Sequence, residues 1–189
     1  MPDSLTSAEG AAAIRPALNR ARIVEAAIVL MLDEGSSALS MRRLGQQLSV
    51  RAMAMYKHFE DRDDLVNAVL ERLYEEIGEM RPGQDAFEGL RDYMLSIHRV
   101  IEAFPFLREF LGAKAKLPQV WEDRRFRQIG ALVATGAPHI DSKLGFSILF
   151  RMMLGSLSPN PHEAKDRENE LVVFGIDAVI DLLRKRASA

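Results

Sequence analysis

Apolar positions recur along the chain at the three- and four-residue spacings of helices that face a common core. Ile23, Ala26, Ala27, Leu30 and Met31 form the first stripe, and Gly35 stands just past it, where a residue tolerant of left-handed backbone can end a helix. Ser40 is a good N-cap for a short second helix carrying Met41, Leu44 and Leu48 inward, before Ser49 and Val50 interrupt the pattern. A third short stretch follows at once, with Ala52, Met55 and Phe59 inward and Arg51, Met53, Ala54 and Lys57 outward. Asp61 then caps a longer stripe, Leu65, Val66, Val69, Leu70, Leu73 and Ile77, which the proline and glycine at 82 and 83 bring to an end.

The rest of the chain repeats the helical period. Phe87, Leu90, Met94, Ile97, Ile101 and Phe104 make a continuous stripe up to Pro105; Pro118 opens a helix expected to turn Val120, Trp121, Phe126, Ile129, Leu132 and Val133 inward. From Asp141 to Leu157, and from about Glu163 to Arg186, apolar residues occupy more than one face, more than a single contact with the core can use. The polar stretch 156–167, with prolines at 159 and 161, predicts a loop between these two helices. No segment alternates as a strand does. The expected fold is all-α: a flexible arm over residues 1–18, a three-helix helix-turn-helix domain over 19–65 and a larger helical domain over 66–189.

Composition narrows the function classes. The 189 residues are 48% hydrophobic, enough for a sizeable core, and the absence of cysteine rules out disulfides, thiolate metal sites and a cysteine nucleophile. Histidines 58, 98, 139 and 162 have no metal-ligand spacing, and no P-loop, G-x-G-x-x-G or G-x-S-x-G occurs, so no metal, cofactor or catalytic residue is expected. The longest apolar run, Ala26 to Leu32, is far shorter than a membrane span, which points to a cytoplasmic protein. Net charge is −2, yet from Arg15 to Arg62 eight basic residues face five acidic ones, a mild positive bias in the half that holds the helix-turn-helix plan. In that plan the second short helix enters the major groove, and Ala52 and Ala54 keep it slim.

The segments LSMRRLGQQLSV and MYKHF followed by DRDDL resemble the TetR family of bacterial transcriptional repressors over residues 20–68. Two departures stand out: Ser49 occupies a turn position usually held by Gly, and Arg51 replaces the usual Ser or Thr cap of the recognition helix. The resemblance implies a homodimer on a palindromic double-stranded DNA operator. Arg42 would reach the groove, Ala52, Met53 and Ala54 would face bases, Tyr56, His58 and Arg62 would hold phosphates, and Lys57 would do either. Arg51, freed from capping, is a further candidate for DNA. The two C-terminal helices would supply the dimer interface.

Phe104, Phe106, Phe110, Trp121, Phe150, Met152 and Met153 are candidates for the wall of a ligand cavity near Trp121 and Phe104, with His98 and Arg151 as orienting polar groups. The expected function is a homodimeric regulator, a repressor released from its operator by a small, largely apolar effector. The competing expectation is a small-molecule carrier whose helix-turn-helix is vestigial; an all-α enzyme is a third, without a catalytic constellation to support it.

Overall fold

Short polar side chains start the helices by accepting the backbone N–H groups that a first turn leaves unbonded. Asn19 accepts from the Arg22 N–H at 2.8 Å and opens α1, Arg20–Glu34. Ser40 accepts from Arg43 at 3.2 Å and opens α2, Met41–Leu48, while Asp61 accepts from Asp64 at 2.8 Å and opens α4, Arg62–Tyr74. Between them α3, Ala52–Met55, begins at Arg51 with no side-chain cap, as the departure at that position predicts. Gly35, at φ 84°, ends α1 and leads through a 3-10 turn, Ser36–Ala38, into α2.

A computed structural model describes residues 17–113, 117–155 and 165–189. The remaining helices are α5 (Ala86–Ala103), α6 (Leu107–Ala113), α7 (Gln119–Ala134), α8 (His139–Gly155) and α9 (Lys165–Ala187), and among the described residues there is no strand. Residues 156–164 of the loop predicted over 156–167, and most of the predicted arm, lie outside the described residues, while 165–167 already belong to α9 and not to the loop.

One core runs through the molecule. Ile23, Ala27, Leu30, Leu44, Met55, Phe59, Leu65 and Val69 close the first three helices against α4, and Leu90, Met94, Ile97 and Ile101 make α5 the axis of the second part, against which α7, α8 and α9 pack. α4 crosses the expected boundary at residue 65 and touches both α1 and α7, so the two parts share a helix. It stops at Tyr74, with turn bonds carrying the chain to Ile77, earlier than its apolar stripe predicts.

α7 departs from its expected face. Phe126 is 61% exposed and Val133 is exposed too, while Arg124 and Gln128 are buried beside Trp121, Ile129 and Leu132. The cause is the end of α4: Arg124 donates to the carbonyls of Ile77 and Gly78 at 2.9 and 3.4 Å, pairs with Glu79 at 2.5 Å, and lies over the Tyr74 ring at 4.1 Å. A buried guanidinium bonded in this way through both terminal nitrogens, with its Nε left without a partner, occupies the place an apolar residue would otherwise take.

Candidate nucleic-acid interface and effector cavity

The α2–turn–α3 unit is held by backbone contacts at Gly45 and Ser49. The Val50 N–H donates to the Gly45 carbonyl at 2.8 Å, and a Cβ on Gly45 would lie 3.0 Å from the Val50 carbonyl oxygen and 3.3 Å from the Ala52 nitrogen, so the turn folds back onto a residue that must be small. Ser49 adopts left-handed backbone at φ 57°, ψ 41°, a conformation that costs a non-glycine residue about 1–2 kcal/mol. Met55 and Phe59 are fully buried and fix the roll of α3; Met53 is then left 71% exposed.

The basic residues of this part divide into two groups. Arg20 donates to Asp64 at 3.1 Å and to the His58 carbonyl and stacks 4.1 Å from the Phe59 ring; Arg43 is held by Glu34, with one contact at 3.0 Å. Arg62 turns inward, donating to the Leu39 and Ser36 carbonyls at 3.0 and 3.4 Å and lying 5.8 Å from the ring of Phe110 in α6. By contrast, Arg42, Arg51 and Lys57 are exposed and pair with no side chain among the described residues. Tyr56 is half exposed, while His58 and Ala54 are half-buried, so the outward face expected of Ala54 is partly covered by the core.

The expected ligand residues fall in different places. Trp121 and Arg151 line a cavity of about 320 Å³ between α5, α7 and α8, together with Tyr93, Arg125, Phe146 and Phe150. Phe104, Phe106 and Phe110 form a chain of edge-on rings, 6.2 and 6.3 Å apart, that runs along α6 toward the first domain instead. The Ser36 hydroxyl donates to the Glu109 carboxylate on the same side of the molecule. His98 sits in a separate cleft of about 630 Å³ between α5 and α9, its Nε2 donating to the Asn169 amide oxygen at 2.9 Å. Met152 packs on Gly175 of α9, away from the Trp121 cavity.

The spacing of α7 put Arg125 one turn from Trp121, and that was the available signal for it; Tyr93 and Phe146 gave none beyond their place on apolar stripes. Trp121 is 3% exposed and donates from Nε1 to the Leu70 carbonyl at 3.2 Å, with the Tyr74 ring 5.0 Å away. Burial pushes the Tyr74 hydroxyl up to about 12, so it stays protonated. No helix is long and apolar enough to cross a membrane, and no His, Asp and Glu cluster could hold a metal, both among the described residues.

A slim helix set on a tight turn above a larger helical body is the architecture of a helix-turn-helix protein. The family model for bacterial regulatory proteins of the tetR family matches residues 23–69. An HTH-type transcriptional regulator of Saccharopolyspora erythraea is 26% identical over 148 residues, 76% of this chain. The chain spans 61% of that relative's length. HTH-type regulators of Staphylococcus aureus are 39% identical over 54 residues, 29% of either chain. In three dimensions the chain is similar to a variant TetR from Acinetobacter baumannii crystallised with minocycline, at TM-score 0.78 and 20% identity over 92% of this chain and all of that one. It is also similar to BioQ crystallised with its double-stranded DNA operator, at TM-score 0.71 and 21% identity over 88% of this chain and 98% of that one. By the family-model match residues 23–69 are similar to the recognition segment of the tetR family of bacterial regulatory proteins, and the helical fold of the chain is like that of the solved structures. The relatives it matches are transcriptional regulators, not enzymes.

Proposed function

We propose that the protein is a cytoplasmic, homodimeric repressor that binds a palindromic DNA operator through α2 and α3 and leaves it when a small molecule fills the cavity beside Trp121. The observation that carries this reading is the division of the basic residues: Arg20, Arg43 and Arg62 are engaged within the protein, whereas Arg42, Arg51 and Lys57 stay uncommitted around a recognition helix whose buried face is fixed by Met55 and Phe59. Uncommitted guanidiniums can pair bidentately with guanine, and exposed Met53 offers an apolar contact to a thymine methyl. Tyr56 and Lys57 then hold phosphates beside the groove.

Dimerisation is supported by apolar side chains that the core leaves uncovered. Ile140, Leu144 and Ile148 of α8 and Leu171, Phe174 and Leu182 of α9 are all more than half exposed, and Phe174 reaches 73%. A second copy would cover them and set two recognition helices at a fixed half-site spacing. The effector acts only through its different affinity for the operator-matched and unmatched states.

Selection of bound fragments from a random duplex pool tests the reading. A palindromic consensus, bound with an affinity that falls steeply with salt, is the expected product. Absence of duplex binding at low salt would favour a carrier.

A further inference from the structure

The cavity beside Trp121 has a charge pattern that the apolar-effector expectation does not account for. Its floor is aromatic: Tyr93 and Phe146 lie 6.3 Å apart at 27°, and Phe146 and Phe150 lie 6.4 Å apart at 12°, so three rings stand nearly parallel. Two guanidiniums, Arg125 and Arg151, line the same cavity, against a single carboxylate, Glu122. Glu122 is already paired with Arg125 at 2.5 Å. Arg125 Nε is nevertheless buried without a hydrogen-bond partner, and Arg151 pairs with no side chain among the described residues.

A cavity with one positive charge in excess, one of its guanidiniums pairing with no side chain among the described residues, is complementary to an anion that brings its own oxygens. A planar guanidinium meets a carboxylate through two parallel N–H···O bonds, which fixes orientation as well as charge. The near-parallel rings suit a flat ring system stacked on or slotted beside them. At about 320 Å³ the space is at the small end of ligand cavities, the size of a compact ligand of one or two rings.

The geometry points to an aromatic carboxylate as the effector, its ring system among Tyr93, Phe146 and Phe150 and its carboxylate on Arg151, with the Arg125 guanidinium adding positive charge to the same wall. This deepens the effector reading above and rests on it for its regulatory meaning, but the binding claim stands separately.

Calorimetric titration of the full-length protein with naphthalene-2-carboxylate, its neutral isostere naphthalene-2-carboxamide and the cation naphthalen-2-ylmethylammonium separates charge from shape. The carboxylate is expected to bind at least tenfold more tightly than the amide, and the ammonium not measurably. Arg151→Gln should lower carboxylate affinity about tenfold and leave amide affinity within twofold; a folding defect would instead lower both and show in the circular dichroism melt. Equal binding of carboxylate and amide, no binding by either, or tighter binding of decanoate than of the naphthoate would overturn the inference. Operator affinity measured with and without the naphthoate is read independently. Binding without operator release leaves the carboxylate site in place and removes the effector role, whereas release without a charge preference does the reverse.

Discussion

The indole N–H of Trp121 reaches the backbone carbonyl of Leu70 at 3.2 Å, so the wall of the cavity is bonded directly to the middle of α4. The same helix begins at Arg62, whose guanidinium binds the carbonyls of Ser36 and Leu39 at the edge of the helix-turn-helix. One helix therefore carries a cavity contact on one of its turns and a recognition-domain contact at its start. Replacing Trp121 by Phe removes the donor and part of the ring. It is expected to cost about 1–3 kcal/mol in urea denaturation, and to shrink the effect of a bound effector on operator affinity more than it weakens effector binding itself. Unchanged coupling in gel-shift titrations would show that α4 is not reached through Trp121.

Recognition-domain variants should separate into two patterns. Lys57→Ala is expected to weaken all duplexes alike and to lower the salt slope by about one unit, while Arg42→Ala should also relax choice at one base pair by about 1–3 kcal/mol. Arg62→Ala, by contrast, should act through the protein: its bonds to Ser36 and Leu39 and its place over Phe110 predict lost thermal stability alongside lost operator binding. Affinity and base preference untouched by Arg42→Ala would remove that residue from the groove.

Two substitutions in the turn should move stability in opposite directions. Ser49→Gly relieves left-handed strain and is expected to stabilise by up to about 1 kcal/mol, a rise of roughly 2–4 °C in Tm for a chain of this length. Gly45→Ala places a methyl 3.0 Å from the Val50 oxygen, against backbone that cannot swing aside, and should cost about 1–3 kcal/mol and operator affinity with it. Calorimetric melts of both variants check the pair.

Leu182→Glu and Ile148→Glu place charges on the uncovered apolar face, which lies outside the monomer core. Each should yield a helical monomer by sedimentation, with operator affinity reduced at least tenfold, because an unpaired charge in an interface costs several kcal/mol. Wild-type protein that sediments as a monomer at micromolar concentration would contradict the dimer.

Asp64 gives a pH signature. The Arg20 side chain donates to its carboxylate and the Glu60 N–H adds a second bond, so the folded state holds the Asp64 carboxyl below the usual value. A lowered carboxyl stabilises the protein above the unfolded value of about 4 and loses that contribution as pH falls through the folded one. Asp64→Asn should therefore be less stable than wild type at pH 7, with the gap closing below about pH 4. A gap independent of pH would assign the loss to packing.

Residue type and helical period place the N-caps Ser40 and Asp61 and the inward roles of Met55 and Phe59, because those follow from neighbours in sequence. It was not enough for α7. Whether Phe126 or Arg124 turns inward depends on what the facing helix offers, and there the end of α4 offers bare carbonyls. For the same reason the aromatic and polar candidates for one cavity separated: Trp121 and Arg151 share it, whereas His98 is drawn to Asn169 and Met152 to the gap over Gly175. The need for smallness at Gly45 is not legible in the sequence, because it arises from Val50 and Ala52 folding back on it, a contact no stripe records.

The joint between recognition domain and body bears on how such proteins can be recombined. Across it, Ser36 bonds Glu109 and Arg62 faces Phe110, each pair contributing one residue from either side. A foreign recognition domain carrying a hydroxyl and a guanidinium at those two places would meet the same carboxylate and ring on α6. On the proposed function the body would then report its effector through another domain's operator, which makes residues 36 and 62 the natural seam for chimeric sensors.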